Sequence, residues 1–193
     1  VPYQQESLMA KVAIVYHSGF GHTKILAEAV ARGAASVAGT HVDLIPVAEA
    51  EAKVETLNAA DAIILGSPTY MGNVSGPFKS WMDSTGKLWY GQQWKDKVAA
   101  GFTNSGNPSG DKLNTLTTMW VFAMQHSMIW VSQGVMAGEQ ENGETLNRLS
   151  SWGGTMATSA NAEATPDNPS KADQATGAKL GARVATFAKK LKG

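Results

Sequence analysis

Short apolar runs alternate with segments of helical periodicity along most of this chain. Continuous apolar runs are typical of strands covered on both faces, and they predict five strands. These runs lie at residues 12–16, 42–47, 62–66, 98–103 and 128–132. Between these runs, apolar residues recur at helical spacing, most regularly in the last segment, at Leu180, Val184, Phe187 and Leu191. This order predicts an α/β fold of three layers, with a five-stranded parallel sheet and helices on both faces.

The pattern predicts a single domain over residues 9–193, because it continues without a repeat or a shift in composition. Residues 1–8 precede Met9 and differ in character, so we expect a tag remnant or a flexible extension there. Residues 153–175 are rich in Ala, Thr, Ser, Asn and Pro. They predict a long surface excursion before the last helix.

Composition narrows the classes of function. Of 193 residues, 43% are hydrophobic and 17% are charged, as in globular domains. Lys and Arg number 16 together, as do Asp and Glu, so the chain lacks the excess of positive charge that is typical of nucleic-acid-binding domains. There is no cysteine, and the 4 histidines are scattered, which disfavours a metal site. No apolar run approaches the roughly 20 residues of a membrane span, and without a signal-peptide pattern we expect a cytoplasmic protein.

Three loops of unusual composition follow the first, third and fourth predicted strands. In an open parallel sheet such loops meet at the carboxyl edge, where ligands bind. Residues 18–23 join hydroxyls and glycines to a helix N-terminus, where free N–H groups and the helix dipole favour a phosphate. Residues 67–77 carry Tyr70 and Met71, which suit a planar ring, and residues 103–111 offer small polar groups to a ring edge. Each loop taken alone also fits an ordinary connection.

Other phosphate-binding and nucleophile motifs are missing. Residues 19–24 lack the third glycine of the dinucleotide fingerprint G-x-G-x-x-G. Neither the P-loop pattern nor the G-x-S-x-G elbow of α/β-hydrolases occurs. A phospho-receiver domain would need acidic residues where Ser18 and Ser67 stand.

Residues 18–23, 66–76, 83–89 and 126–128 together resemble the flavodoxin-like superfamily, and within it the WrbA-type NAD(P)H:quinone oxidoreductases. The resemblance implies a flavodoxin-like three-layer sandwich that binds FMN. It assigns the ribityl phosphate to the first loop, the isoalloxazine ring to the second and the polar edge of the flavin to the third. The cofactor-binding residues it implies are Ser18, Gly19, Phe20, Gly21, His22, Thr23, Pro68, Thr69, Tyr70, Met71, Gly72, Asn104, Ser105, Gly106, Asn107, Pro108 and Ser109.

The same resemblance implies roles around the flavin. It places His126 near the ring as a cofactor contact and catalytic residue, Phe20 beside the nicotinamide and Trp89 in the acceptor pocket. Each of these also has an ordinary interpretation in packing or at a helix end. The implied activity is ping-pong reduction of a quinone by NADH or NADPH, in a homodimer or homotetramer.

The sequence departs from the family pattern at two places. Tyr70 stands where the family commonly has Arg, and only residues 46–60 separate the second and third strands, where the family carries a long insertion linked to its tetramer.

Two rival functions remain beside the enzyme. A flavodoxin-type electron carrier is disfavoured by the zero net charge, which gives weak steering toward a charged partner. A flavin-free interaction scaffold is disfavoured by the intact hydroxyl and glycine loop.

Overall fold

The computed structural model describes residues 9–192, so the expectation for residues 1–8 lies outside it. The strands are β1 (Ala10–Tyr16), β2 (Thr40–Pro46), β3 (Ala62–Tyr70), β4 (Asn73–Val74), β5 (Val98–Ser105), β6 (Ile129–Trp130), β7 (Gln140–Glu141), β8 (Glu144–Thr145) and β9 (Thr155–Thr158). The helices are α1 (His22–Ala35), α2 (Val54–Ala59), α3 (Gly76–Ser84), α4 (Gly86–Tyr90), α5 (Lys112–Gln125) and α6 (Lys171–Lys192), with a 3₁₀ turn at Val47–Glu49.

The central sheet has the strand order β2-β1-β3-β5, and both β6 and β9 pair with the far edge of β5. All these pairings are parallel. The predicted α/β class with a parallel sheet is therefore confirmed. The chain moves from β1 outward to β2 and then returns to β3 on the other side of β1, so the direction of winding changes between β1 and β3. The carboxyl ends of these two strands form the crevice in which such sheets bind ligands.

Two short strands share the edge of β5 where the sequence predicts the fifth strand, residues 128–132. Within those residues only β6 forms, paired with Val98 and Ala99 at the start of β5. The remaining edge of β5 is occupied by β9. Between β6 and β9 the chain leaves the sheet and carries the small hairpin of β7 and β8.

The predicted surface excursion over residues 153–175 is therefore wrong in its first part. Thr155 and Ala157 are fully buried members of β9. Four residues of mixed polarity are too few to show a strand pattern, and β5 supplies the pairing that makes them one.

Alternate residues of the strands feed two apolar cores, one on each face of the sheet. Val12 and Ile14 belong to the core shared with α1 and α6. Ala13 and Val15 belong to the core shared with α2, α3 and α5. The helices α1 and α6 approach closely, because a Cβ added at Gly181 would lie 2.0 Å from the Val30 carbonyl oxygen. This packing fixes the N-terminus of α1 at the carboxyl edge of the sheet.

No helix within residues 9–192 combines the length and apolar character needed to cross a bilayer. No group of three or more His, Asp or Glu side chains in that range is arranged to hold a metal ion.

Candidate functional site

A cavity of about 500 Å³ lies at the carboxyl edge of the sheet, at the change of winding between β1 and β3. All three predicted loops contribute to its wall. The predicted residues that line it are Ser18, Phe20, His22, Thr23, Pro68, Thr69, Tyr70, Asn104, Ser105 and Gly106. One further segment lines it without having been predicted, namely Ser159, Ala160, Asn161 and Ala162.

One end of the cavity is formed by the N-terminus of α1. The hydroxyl oxygen of Ser18 accepts the Lys24 N–H at 3.1 Å. Among the described residues, the N–H groups of His22 and Thr23 donate to no protein acceptor. Since the first N–H groups of a helix have no partner within the helix, they remain available to a ligand. With the Ser18 and Thr23 hydroxyls beside them, they form a set of neutral donors suited to a phosphate.

Two glycines keep this loop close to its neighbours. A Cβ added at Gly19 would lie 2.5 Å from the Tyr70 hydroxyl oxygen, and one added at Gly21 would lie 2.8 Å from Ala164 Cβ. Gly21 also has a φ of 91°, in the left-handed region that side chains rarely adopt. The residues present therefore fit a phosphate held by exposed backbone, because larger side chains could not occupy the two positions that bring the backbone to the ligand.

The second loop is a hairpin rather than an irregular loop. Strand β3 continues to Tyr70 and returns as β4, through a two-residue turn at Met71 and Gly72 with φ angles of 48° and 78°. Positive φ at both positions is the type I′ geometry that matches strand twist. The Asn114 side-chain amide donates to the Gly72 carbonyl at 2.7 Å and ties the tip to α5. Met71 lies at this tip, fully exposed and outside the cavity lining.

Aromatic side chains form the mouth of the cavity. The Phe20 and Tyr70 rings meet edge to face, with centroids 6.2 Å apart. Phe20 is 76% exposed and Tyr70 is 38% exposed. Large apolar groups that lie exposed beside a cavity offer a surface for a flat apolar ligand.

A buried network of polar side chains lies beneath the cavity and includes the lining residues Thr69, Asn104 and Ser159. The Thr69 hydroxyl lies 2.8 Å from those of both Thr103 and Thr115. The Ser159 hydroxyl donates to the Asn104 side-chain oxygen at 2.8 Å. Because these bonds join β3, β5, α5 and the end of β9, they fix the positions of the loops that rise from them.

The third loop contacts the cavity only through its first part. Asn107, Pro108 and Ser109 lie outside the lining. The Asn107 carbonyl instead accepts a hydrogen bond from the buried Lys112 ammonium. Asn107 therefore supports the wall from behind, and direct contact of these three residues with the cofactor stays a prediction.

The unpredicted segment lies against the first loop. His22 Nε2 lies 3.0 Å from the Ala162 carbonyl oxygen and 3.2 Å from the Asn168 side-chain nitrogen. The Asn168 side chain also accepts the Ala160 N–H at 2.8 Å and donates to the Glu163 carbonyl at 3.1 Å. No local sequence signal points to this contact, since it joins residues separated by 140 positions.

His126 and Trp89 lie away from the cavity within the chain. The helix α5 starts beside Ser105 and is 14 residues long, so His126 lies about 20 Å farther on, near the amino end of the sheet. Its ring is 2% exposed and packs 4.5 Å from the Trp94 ring. Within one chain the structure does not bring His126 to the cavity, because a helix that begins at the site ends at the other side of the sheet.

Trp89 lies at the same far end. Its carbonyl accepts from the Gln92 side chain at 3.0 Å, and Gln92 in turn accepts from the Ser127 hydroxyl at 3.0 Å. The Trp89 side chain is 44% exposed on α4. Within one chain it therefore does not form part of the pocket predicted from the resemblance.

The cavity is electrically neutral. Its lining includes no Lys, Arg, Asp or Glu. Burial lowers the pKa of His17, which lies under the first loop with its Nδ1 unpartnered among the described residues. Burial raises the pKa of Tyr70, although a backbone hydrogen bond from Gly19 opposes the shift. An anion in this cavity would therefore be held by dipoles and hydrogen bonds rather than by a charged side chain.

Comparisons with known proteins agree with this geometry. Residues 11–142 match the family described as NADPH-dependent FMN reductase. Flavodoxin FldP of Pseudomonas aeruginosa (strain UCBPP-PA14) is 45% identical over 130 residues, which cover 66% of this chain and 68% of that protein.

Solved structures extend the similarity to nearly the whole chain. A flavodoxin, WrbA-like protein from Agrobacterium tumefaciens has a TM-score of 0.75 at 39% identity, covering 94% of this chain and 98% of its own. A flavodoxin from the domain Archaea shares the fold, with a TM-score of 0.66 at 22% identity over 93% of this chain and 99% of its own. The predicted flavodoxin-like fold and the resemblance to WrbA-type proteins are confirmed.

Proposed function

The chain belongs to the NADPH-dependent FMN reductase family, and we propose on that premise that it transfers two electrons from NADH or NADPH to a quinone or a similar acceptor through bound FMN. One observation carries this proposal. A neutral cavity at the change of winding has a helix N-terminus with free N–H groups at one end and an exposed aromatic mouth at the other. The first feature suits the cofactor, and the second suits its two flat reaction partners.

The protein's own residues would hold the cofactor and orient it. The Ser18 and Thr23 hydroxyls, with the free N–H groups of α1, would bind the phosphate. The walls at Thr69–Tyr70 and Asn104–Gly106 would enclose the ring. FMN, when bound, supplies a group that accepts a hydride and later donates electrons. The protein supplies the fixed geometry, because a reacting pair must lie about 3–3.5 Å apart.

The mouth of the cavity determines the order of events in this proposal. Phe20 and Tyr70 form one exposed apolar surface beside the ring site. A nicotinamide and a quinone would both use it, so one must leave before the other binds. The expected kinetics are therefore ping-pong. No reaction step is assigned to His126, which is buried at the other end of the sheet.

A flavodoxin-type electron carrier is the second candidate. The similarity to Flavodoxin FldP supports it, as does the short connection between β2 and β3, which lacks the long insertion expected from the WrbA-type resemblance. The zero net charge weighs against it, since a carrier benefits from electrostatic steering toward its partners.

Anaerobic reduction of the FMN-loaded protein separates the two candidates. We expect NADH or NADPH alone to bleach the flavin absorbance, and benzoquinone to restore it over many turnovers with parallel double-reciprocal plots. A protein that binds FMN but is reduced only by light or by a partner reductase would be a carrier. A protein that stays colourless with added FMN would contradict both candidates.

A further inference from the structure

Lys112, the first residue of α5, lies directly behind the cavity wall. Its side chain is fully buried. The ammonium donates to the Ser105 hydroxyl at 2.9 Å and to the Asn107 carbonyl at 2.5 Å, and it lies 3.4 Å from the Thr158 hydroxyl. Ser105 itself lines the cavity. One side chain therefore separates a buried cation from the proposed ring site.

Two charged groups on other elements influence this ammonium. Asp173, at the start of α6, accepts the Thr158 N–H at 2.9 Å. It also forms a two-point ion pair with Arg148, at 2.8 and 2.6 Å. The pKa of Lys112 is lowered to about 8, chiefly by burial, with Asp173 opposing the shift and Arg148 adding to it. At neutral pH the lysine keeps its proton, so two cations and one anion leave one net positive charge in this cluster.

Within residues 9–192 the Lys112 ammonium has no directly paired counter-ion. The bonds of the ammonium go to neutral oxygens, while the Asp173 carboxylate is taken by Arg148 and a backbone N–H. Burial of an ion without a directly paired counter-ion is costly, and an apolar side chain of similar length would fill the space without that cost. A positive charge kept in such a position calls for a negative charge nearby.

The proposed reaction brings such a charge into the cavity. A hydride carries two electrons and one proton, so its transfer from NAD(P)H leaves NAD(P)⁺ and adds one negative charge to the flavin. The cavity lining includes no cationic Lys or Arg to offset that charge. A fixed cation behind this wall would favour the reduced form of the cofactor.

We propose that Lys112 tunes the reduction potential of the bound flavin, its ammonium offsetting through the Ser105 wall the negative charge that hydride transfer adds. This inference rests on the FMN binding of the proposed function. In this proposal Lys112 acts on the flavin electrostatically, through space, and contacts neither cofactor nor substrate.

The experiment compares oxidised FMN with FMN reduced by dithionite, so that it depends on no nicotinamide. Dissociation constants for both forms are measured anaerobically for the wild type and for Lys112→Met, which keeps the length and removes the charge. We expect the affinity for reduced FMN, relative to oxidised FMN, to fall on the order of tenfold. That ratio corresponds to a midpoint potential lower by about 30 mV for a two-electron couple.

Two further variants serve as controls. Lys112→Arg keeps the charge, and its affinity ratio should remain close to that of the wild type. Lys97→Met removes a partly buried lysine at the amino end of β5, where the ammonium donates to the Asn58 and Ala60 carbonyls. Because Lys97 lies at the far end of the sheet, its loss should leave the ratio unchanged.

The outcomes separate this inference from a structural role. If Lys112→Met weakens both forms of FMN equally, the lysine only holds the loop and the inference is wrong. If that variant does not fold, Asp173→Asn changes the same cluster with the opposite sign and should raise the relative affinity for reduced FMN, while an unmoved ratio overturns the inference. Wild-type protein that binds FMN but is not reduced by NADH or NADPH contradicts the proposed function instead, and the affinity ratio is still measurable.

Discussion

Thr85 determines which nitrogen of His126 carries the proton. The Thr85 hydroxyl donates to the Met82 carbonyl at 2.7 Å, so it can only accept at the 2.9 Å contact with His126 Nε2. Nε2 must therefore hold the hydrogen. The other nitrogen, Nδ1, is buried and has no partner in the described part of the chain. Protonation of Nδ1 would bury a charge among the rings of Trp94 and Phe122, and burial lowers the pKa of His126 to about 4.

The first prediction is a loss of stability in weak acid. The pKa of His126 lies below the ordinary value of 6.5, so the folded state favours neutral imidazole and the unfolded state binds the proton more readily. The stabilisation is complete above pH 6.5, falls as the pH decreases from 6.5 to 4 and is absent below that. It amounts to about 3 kcal/mol in the free energy of unfolding. Urea unfolding of the wild type and of His126→Phe, repeated at pH values from 6.5 to 4, tests this prediction. The free energy of unfolding should decrease more steeply with falling pH for the wild type than for the variant.

His41→Gln provides the matched control, because His41 is an exposed histidine paired with Asp43. Because this variant keeps the buried His126, it should still lose stability as the pH decreases from 6.5 to 4. The His126→Phe variant, once loaded with FMN, should also reduce quinone within about twofold of the wild-type rate, since the ring lies far from the cavity. A larger loss of rate with normal FMN binding would restore His126 to the reaction.

A second prediction concerns Gly21, whose backbone forms the turn into α1. Alanine there would place Cβ 2.8 Å from Ala164 Cβ at a φ of 91°. Such strain costs about 1–2 kcal/mol, so Gly21→Ala should bind FMN about tenfold more weakly. Quenching of FMN fluorescence measures the affinity. Gly86→Ala is the control, because a Cβ at Gly86 meets nothing within 4 Å and should leave the affinity unchanged.

A third prediction tests the phosphate end of the cavity. Thr23→Val keeps the shape of the side chain and removes its hydroxyl, which costs about 1 kcal/mol of binding and should weaken FMN about fivefold. Riboflavin has no phosphate, and its affinity should not change. Thr117→Val removes a hydroxyl that only donates to the Leu113 carbonyl on an exposed face of α5, and it serves as the control. Equal losses for FMN and riboflavin would show that Thr23 does not bind the phosphate.

A fourth prediction tests the mouth of the cavity. Phe20 is 76% exposed, so Phe20→Ala should unfold near the wild-type midpoint. The loss of stacking area should raise KM for the nicotinamide or the quinone by about threefold to tenfold, with the FMN affinity nearly unchanged. Tyr90→Ala is the control, because Tyr90 is 86% exposed on α4, away from the cavity. The assignment would be wrong if both variants had wild-type KM values.

The sequence by itself determined the fold class and the helix N-terminus that forms one end of the cavity. Buried strands and amphipathic helices are local patterns, and a helix N-terminus preceded by Ser18, Gly19 and Gly21 carries its own free donors. The order of the loops along the chain also fixed which of them would meet, because the carboxyl ends of parallel strands share one edge.

Only the tertiary structure decided which distant residues complete the site and which do not. The segment at Ser159–Ala162 lines the cavity because β9 completes the edge of β5 after an insertion, and a short mixed strand has no signal of its own. His126 lies far from the cavity because α5 carries the chain to the other end of the sheet. Lys112 is buried against Ser105, Asn107 and Thr158 of β9, and burial depends on contacts that no local pattern records.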